Sequence, residues 1–147
     1  QVIIEITETA KLGDLDAADK IIQQFRGLGH KVCLDDFGAG EAGFPYVQRL
    51  SFDYLKIDGA YVRNIAKDPR DAAIVTAIAR MCADLNILVI AEMVENEAQA
   101  ARLVECGIGL GQGFHFGRPN VAEKFAQAAP PRPLPNARRK GFVETWR

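Results

Sequence analysis

Residues 32–40 read VCLDDFGAG, an apolar run that ends in two adjacent carboxylates and a glycine-rich turn. The apolar residues predict a buried strand, and the glycines predict a loop directly after it. Asp35 and Asp36 would repel each other, and burial beside the strand would raise the cost of ionising them unless a cation lies between them. The stretch therefore predicts a divalent metal at the end of a strand.

Four other short apolar runs end in polar side chains in the same way. They are rich in valine and isoleucine and are separated by amphipathic segments, which is typical of parallel strands buried on both faces. The polar residues that follow the runs are Glu5 and Glu8, Lys56 and Asp58, Glu92 and Glu95, and Gln112. We therefore expect a sheet whose strands all end in groups capable of chemistry.

The segments between these runs predict helices. A helix over 15–28 would end at Gly29, a second would begin at Asp68-Pro69, and a third would begin after Asn96 and end at Gly107. A fourth would run from 120 to 129, and Pro45 permits only a short helical turn before Leu50. The apolar residues expected on the helix faces are Ala18, Ile21, Ile22, Phe25, Leu28, Val75, Ile78, Cys82, Leu85, Ala98, Ala101 and Val104.

Alternating strands and helices indicate an α/β protein with a mainly parallel sheet. An open doubly wound sheet would concentrate functional groups at one switch point, whereas a closed barrel places them at the C-terminal ends of many strands. Because polar groups follow every predicted strand, we favour a TIM-like (β/α)8 barrel. A complete barrel takes about 250 residues. The 147 residues of this chain therefore predict the C-terminal part of one, with roughly five βα units.

Two regions of different composition divide the chain. Residues 1–129 are expected to form the barrel portion, and residues 130–147 form a tail rich in proline and in basic side chains. Proline and polar residues predict an extended, flexible segment. The basic charge suggests a protein partner or an anionic surface, and a tail with no specific function is the alternative interpretation.

The overall composition is typical of a soluble globular domain. Hydrophobic residues make up 48% of the chain, charged residues 25%, and the formal net charge is -1, which excludes the disordered and membrane classes. Cys33, Cys82 and Cys106 are odd in number and lie at apolar positions, which predicts buried reduced thiols. These features favour a cytoplasmic domain and leave open a membrane anchor upstream in a longer protein.

Five blocks of this sequence resemble successive motifs of EAL domains. EAL domains are barrel phosphodiesterases that cut the bacterial second messenger cyclic di-GMP to linear pGpG with Mg²⁺ or Mn²⁺. The resemblance extends from Gln1 to Pro119, and five blocks in order are far more specific than any one of them. The blocks are EITE at 5–8, DDFGAG at 35–40, LKID at 55–58, AEMVE at 91–95 and GQGF at 111–114.

The resemblance implies a role for each polar residue at the strand ends. Glu5, Asp35 and Asp36 resemble the metal ligands of a two-ion site, with Asp36 serving mainly the second ion. Such ions would hold the attacking water and the leaving oxygen in line. Lys56 resembles the lysine beside the nucleophilic water, although a strand-end lysine that reaches solvent is the alternative.

Four further residues complete the implied site or its surroundings. Glu92 resembles the glutamate that helps to activate the water, and Glu95 and Gln112 resemble groups that contact the substrate or support the residues that do. Glu8 would anchor the loop after Asp36. For Glu8 and Glu95, solvated surface acids are an open alternative.

Several positions depart from the family pattern. The loop after Gly40 reads EAGFP, Met93 stands where the family usually has glycine, and Gly59-Ala60 replaces a common Arg-Ser pair. The Glu-Ala-Leu signature and a metal-binding Asn belong to strands that this sequence does not contain, so the piece alone is expected to be inactive. Without the strands and helices that would complete the barrel, this piece would expose apolar faces.

Two functions follow from the resemblance. One is a cyclic di-GMP phosphodiesterase. The other is a divergent receptor that binds cyclic di-GMP without cutting it, in the manner understood for the TipF-like proteins of flagellar assembly. The barrel also leaves a homodimer open, and a nucleic-acid polymer is not expected as a partner.

Two other nucleotide or phosphate folds fit the sequence poorly. Residues 38–43 satisfy G-x-G-x-x-G after a strand, as in dinucleotide-binding domains. Two carboxylates directly before the loop would repel a pyrophosphate, and Pro45 leaves too few residues for the crossover helix. A receiver domain would carry its acid pair on the first strand, whereas here a strand ending in Glu5 precedes the pair.

Overall fold

The computed structural model of the protein describes residues 2–10, 12–40 and 43–118. Five strands alternate with helices in these segments. The strands are β1 (Ile3–Thr7), β2 (Lys31–Phe37), β3 (Tyr54–Ile57), β4 (Leu88–Ala91) and β5 (Leu110–Gly111). The helices are α1 (Leu15–Gly27), α2 (Gly43–Arg49), α3 (Gly59–Arg63), α4 (Pro69–Asp84) and α5 (Glu97–Glu105).

The five strands form one parallel sheet in the order β1-β2-β3-β4-β5. Each strand pairs with the strand that follows it in the chain, and the order never reverses. A doubly wound sheet reverses its order at a switch point, whereas successive neighbours are the arrangement of a (β/α) barrel wall. The predicted α/β fold, part of a TIM-like barrel, is confirmed.

The two faces of the sheet have different surroundings. One face packs under the helices and carries the main core, including the fully buried Val32, Leu34, Leu55 and Ile57. The opposite face carries a second, smaller apolar cluster of Cys33, Tyr54 and Ile90, with Ile3 and Leu110 packed against it. Because side chains alternate along a strand, the residues two positions further on extend the same face.

Helix α1 begins and ends where the sequence predicts. The Asp14 side chain caps it by accepting hydrogen bonds from Asp16 N and Ala17 N, and Gly29 follows with φ of +88°. The predicted apolar face is only partly right, since Ile21 is 53% exposed and Leu28 75% exposed. The spacing placed them on the helix face, but Ile22 is the residue of this helix that the core buries fully.

Helix α4 also has the predicted start, with Asp68 accepting a hydrogen bond from Arg70 N and Pro69 at the first helical position. Three of its four predicted apolar contacts are buried, namely Val75, Ile78 and Cys82. Leu85 lies just beyond the helix and is half exposed, so its predicted core position is wrong.

In helix α5 the predicted apolar face is wrong. Ala98, Ala101 and Val104 are exposed, and the buried residues are Gln99, Leu103 and Cys106. Gln99 is buried because all of its polar atoms are used: Oε1 accepts from Glu95 N and Asn96 N, and Nε2 donates to the carbonyl of Arg63. A search for apolar residues alone therefore misplaces the face of this helix.

Three smaller predictions can be compared with the described residues. The three cysteines are free and buried, as predicted, and burial raises the pKa of Cys82 to about 11. Helix α2 is short, as Pro45 requires. No helix among the described residues is long and apolar enough to cross a membrane.

The predicted helix over 120–129 and the tail over 130–147 lie outside the described residues. Helix α3 was not predicted from the sequence. It is only five residues long and begins where the Asp58 side chain accepts a hydrogen bond from Ala60 N.

Candidate active site

Polar side chains follow the smaller apolar cluster on the same face of the sheet. Ile3, Cys33, Tyr54 and Ile90 belong to that cluster. Moving two residues along each strand leads to Glu5, Asp35, Lys56 and Glu92. The period-two alternation of strands thus produces a polar layer directly above an apolar layer. The structure brings these four residues, from four different strands, into contact.

Lys56 lies at the centre of this polar layer. Its Nζ is 2.7 Å from Oε1 of Glu92, 2.8 Å from Oδ1 of Asp35 and 3.5 Å from Oε1 of Glu5. Only 8% of the Lys56 side chain is exposed. One ammonium group therefore faces three carboxylates, and the layer retains an excess of negative charge.

The protonation state of Lys56 follows from these contacts. Burial by itself would lower the pKa of Lys56, but the interactions with Asp35 and Glu92 outweigh it and raise the pKa above its ordinary value. Lys56 is therefore a permanent cation at neutral pH. It can orient an anion or a water molecule, but it cannot act as a general base.

Asp36 joins the layer through an irregular backbone. Its φ is +57°, and the pairing of β2 with β3 shifts between Leu34 and Phe37. In a regular strand Asp35 and Asp36 would point to opposite faces. The irregularity brings both carboxylates together, and nothing in the residue pattern predicted it.

Asp35, Asp36 and Glu92 form a group with the composition of a cation site. One carboxylate oxygen of each lies within 4.8 Å of the other two. Burial, followed by the charge of Asp35, raises the pKa of Asp36. Burial also raises the pKa of Glu92, although its contact with Lys56 opposes the change. Crowded carboxylates with raised pKa values are stabilised by a bound cation.

A buried oxygen of Asp35 provides a test of whether a metal fits. Among the described residues, Oδ1 of Asp35 receives no hydrogen bond of acceptable geometry, although the Lys56 ammonium lies close to it. A buried carboxylate oxygen with unused acceptor capacity is a suitable ligand for a hard divalent cation. The donor set therefore fits a hard divalent cation.

The positions of Glu5 and Glu92 relative to the two aspartates differ from those that their implied roles suggest. Glu92, expected to act on water, lies within the three-carboxylate group, whereas Glu5, expected to bind metal, lies outside it. Glu5 is 48% exposed and reaches the layer through its 3.5 Å contact with Lys56. Both residues remain at the same end of the sheet as the two aspartates.

Glu8 is buried under the loop that follows Asp36. Its carboxylate accepts hydrogen bonds from the backbone N–H of Gly38 at 2.6 Å, Gly40 at 3.3 Å and Gly43 at 2.7 Å. It is only 3% exposed. A Cβ at Gly43 would lie 2.8 Å from the Phe37 ring, so glycine allows the loop to approach Glu8 this closely.

The remaining two predicted residues lie at the edge of the layer. The backbone N–H of Gln112 donates to Ala91 O, and the carbonyl of Gln112 accepts from Val94 N, which ties the end of β5 to the end of β4. Glu95 is exposed, and among the described residues its side chain forms no ion pair.

The sequence matches the EAL domain family over residues 1–119. Among curated proteins, it is 39% identical over 126 residues to the cyclic di-GMP phosphodiesterase PdeB of Shewanella oneidensis. It is 41% identical over 123 residues to the bifunctional diguanylate cyclase/cyclic di-GMP phosphodiesterase MucR of Pseudomonas aeruginosa. These alignments cover 86% and 84% of this chain but only 15% and 18% of the relatives.

Solved structures of an EAL domain and of two cyclic di-GMP complexes also match this chain. The EAL domain of Mycobacterium smegmatis DcpA matches with a TM-score of 0.81 at 30% identity, over 84% of this chain and 56% of that one. The cyclic di-GMP complex of the MucR phosphodiesterase matches with a TM-score of 0.74 at 41% identity, over 84% and 50%. A manganese and cyclic di-GMP complex of Klebsiella pneumoniae BlrP1 matches at 0.72 and 40%, over 78% and 29%.

Proposed function

This chain belongs to the EAL domain family, and we propose that it supplies the metal-binding and catalytic layer of a phosphodiesterase that hydrolyses cyclic di-GMP to pGpG. The contact of Lys56 with Asp35 and Glu92, beside the three-carboxylate group, is the observation that carries the proposal. Relatives that are named cyclic di-GMP phosphodiesterases support the choice of substrate.

The proposed cofactor is a pair of Mg²⁺ or Mn²⁺ ions. Glu5, Asp35 and Asp36 would hold them, and Glu92 lies in the same three-carboxylate group as the two aspartates. Bound divalent ions lower the pKa of water and offset charge on a phosphodiester. Carboxylate oxygens suit these hard cations better than softer ones. The manganese complex of a structural neighbour is consistent with this choice.

Lys56 has a positioning and electrostatic role in this proposal. Because its ammonium is fixed by two carboxylates and stays protonated, it can hold the attacking water and stabilise the negative charge that develops on the phosphate oxygens. An ammonium that is already in place needs little reorganisation during the reaction.

Glu92 has the position of a proton acceptor. Its carboxylate is partly buried, and this burial raises its pKa, which brings the pKa closer to the range in which a general base works well. In the proposed reaction, water attacks phosphorus, Glu92 accepts one proton of that water, and the bond from phosphorus to the ribose oxygen breaks. The ribose oxygen leaves as an alkoxide and takes a proton from solvent water to become the hydroxyl of pGpG. Gln112 and Glu95 would contact the substrate at the rim, and Glu8 would hold the loop after Asp36.

The proposal concerns a longer protein. The chain spans less than a fifth of the curated relatives it matches and about half of two solved EAL structures. Residues 1–129 would form the C-terminal portion of the barrel, and residues 130–147 a basic tail for a protein partner or an anionic surface. The other strands would bring the remaining metal ligands, so we expect the isolated piece to be inactive. A homodimer through the barrel also remains a proposal.

A receptor without hydrolytic activity is the second candidate. The observation that favours it is Met93, which adjoins Glu92 and has φ of +54°, an uncommon conformation for a residue other than glycine. In this candidate, Met93 would fix Glu92 in its ion pair with Lys56, so that Glu92 could not accept a proton while nucleotide binding stayed intact.

Product analysis separates the two candidates. Full-length protein is incubated with Mn²⁺ and cyclic di-GMP, and pGpG is quantified by chromatography while binding is measured by calorimetry. The enzyme proposal predicts pGpG, and the receptor proposal predicts saturable binding without product. Absence of both binding and product would overturn both proposals.

A further inference from the structure

Met93 has a backbone conformation that its side chain does not favour. Three residues other than glycine have positive φ among the described residues, namely Asp36, Asn86 and Met93. Asparagine and aspartate tolerate this region because their short polar side chains bond locally, whereas methionine has no such compensation. The surroundings of Met93 must therefore hold it in place.

The backbone is fixed on both sides of Met93. The N–H of Glu92 donates to Ile57 O at 3.2 Å, and the N–H of Val94 donates to Gln112 O at 3.0 Å. The N–H of His115 donates to Val94 O at 3.0 Å, and Val94 is fully buried. The left-handed residue is the turn that lets Glu92 face the polar layer while Val94 enters the core.

Gly59 leaves the space that the Met93 side chain occupies. A Cβ at Gly59 would contact Sδ of Met93 and would lie 2.7 Å from its Cγ and 2.9 Å from its Cβ. Real Cβ atoms do not approach other atoms so closely, so only glycine fits while Met93 keeps its position. Gly59 is itself buried, and Met93 covers it from the solvent side.

The contact links the two strands that carry the shortest ion pair of the polar layer. Gly59 begins helix α3, three residues after Lys56 on β3. Met93 follows Glu92 directly at the end of β4. The Met93 side chain therefore spans the two segments whose relative position sets the 2.7 Å contact between Lys56 and Glu92.

We propose that Met93 and Gly59 form a matched pair in which the Met93 side chain, seated on Gly59, positions Glu92 against Lys56. This inference rests on the proposed function for its catalytic consequence, and it makes both residues positioning residues. A Cβ added at Gly59 would fall on the Met93 side chain, so the two residues are matched in size. The smaller residue at one site accommodates the larger residue at the other.

A double-mutant cycle in the full-length protein tests the pair. In Gly59→Ala, the added methyl group would overlap the Met93 side chain and displace it. We therefore expect kcat for cyclic di-GMP to fall about tenfold to hundredfold with little change in KM. Met93→Gly removes the positioning side chain but also relieves the strained backbone, so we expect a smaller decrease in kcat than in Gly59→Ala. The double variant is expected to return to the level of Met93→Gly, so that the methyl group at position 59 has no cost once Met93 is gone. Gly109→Ala is the matched control, because a Cβ there meets nothing within 4 Å.

Thermal unfolding and Mn²⁺ affinity are measured on the parent, the two single variants at positions 59 and 93, and the double variant. We expect the melting temperature to show the same coupling, which does not depend on catalysis. Equal effects of Gly59→Ala with and without Met93 would overturn the matched pair. Coupling in the melting temperature together with unchanged kcat in Gly59→Ala would overturn the positioning role.

The outcome also separates this inference from the proposed function. If the parent protein forms no pGpG, the proposed function fails. The matched pair is then tested by whether the effects of the two substitutions on melting temperature and on Mn²⁺ affinity depend on each other. Mn²⁺ affinity is informative because Glu92 belongs to the three-carboxylate group. If Gly59→Ala does not fold, Met93→Gly and the double variant should still fold and agree with each other, and failure of the double variant would contradict the pair.

Discussion

Lys56 determines the chemistry of the site at the scale of single residues. It is one buried cation among carboxylates from three other strands. Burying an ammonium group is unfavourable unless opposite charge lies beside it. Here three carboxylates surround one ammonium group. The excess negative charge is the reason why a divalent cation fits beside Lys56.

Replacing Lys56 tests its electrostatic role. Lys56→Met leaves Asp35 and Glu92 without their cation, so we expect loss of pGpG formation and a decrease of about 3 kcal/mol in the free energy of unfolding. Mn²⁺ should restore part of that stability, because a cation again faces the carboxylates. Urea denaturation with and without Mn²⁺ measures both effects.

The control for Lys56→Met is Lys20→Met on helix α1, where the lysine is exposed. It should leave activity and stability unchanged. A Lys56→Met protein that retained activity or was as stable as the parent would contradict the role assigned to the ammonium group.

Asp35 is the residue that tests the metal site most specifically. Asp35→Asn retains the shape of the side chain but removes its charge, so we expect turnover to be abolished and Mn²⁺ affinity to fall by at least about tenfold. Calorimetric titration with Mn²⁺ checks the second effect. Asp84→Asn is the matched control, since it makes the same change at an exposed aspartate outside the polar layer. Equal losses in both variants would remove Asp35 from the set of ligands.

At the scale of strands and helices, the sequence predicted the ends of the elements best. Short apolar runs located all five strands, and Asp68-Pro69 and Gly29 located helix boundaries, because caps and turns depend on local chemistry. The candidate residues could be found because each lies near the C-terminal end of a strand.

Features that depend on tertiary contacts could not be predicted in this way. The buried face of α5 contains Gln99, whose burial is possible only because Arg63 and the preceding turn satisfy its amide. The left-handed backbone of Asp36 and Met93 likewise has no signature in the residue pattern. In each case, partners distant in the sequence override local preference.

Glu8 joins the end of β1 to the loop after β2, and its replacement tests that connection. In Glu8→Gln, an amide group would face three backbone N–H donors that now donate to a carboxylate. We expect the free energy of unfolding to fall by about 2 kcal/mol. Amide hydrogen exchange at Gly38 and Gly43 should accelerate. Unchanged exchange at these two glycines would show that Glu8 does not hold the loop.

Asp53 connects three elements at the opposite end of the sheet. Its carboxylate lies 2.7 Å from Lys31 Nζ and 3.4 Å from Arg26 Nε, and it accepts a hydrogen bond from Val32 N at 3.1 Å. Burial alone would raise the pKa of Asp53, but these partners outweigh burial and lower it. A carboxyl group whose pKa is lower in the folded state contributes stability above its unfolded pKa and loses that contribution as the pH falls through the folded value.

Asp53→Asn should therefore have a pH-dependent effect on stability. We expect the variant to be less stable than the parent by about 1–2 kcal/mol at pH 7. The difference should narrow progressively below about pH 4, where the unfolded chain takes up a proton first and the folded carboxylate does so only at lower pH. Denaturant unfolding from pH 3 to pH 7 measures it, and a difference that stays constant over this range would contradict the assigned ion pairs.

At the scale of the whole molecule, the described residues form one side of a barrel. The order β1 to β5 follows the chain, and the polar layer lies at the C-terminal ends of the strands on the face away from the helices. This position is where barrels carry their active sites. The site is therefore expected to be completed by strands that would stand beside β1 and β5 in the longer protein.

The central claim is that the carboxylates around Lys56 bind divalent cations that are required to cut cyclic di-GMP. The most direct measurement is the rate of pGpG formation by full-length protein after chelation of metal and after return of Mn²⁺. The account predicts that chelation stops product formation and that Mn²⁺ restores it in the parent but not in Asp35→Asn. Product formation that persists in excess chelator, or equal restoration in Asp35→Asn, would contradict the claim.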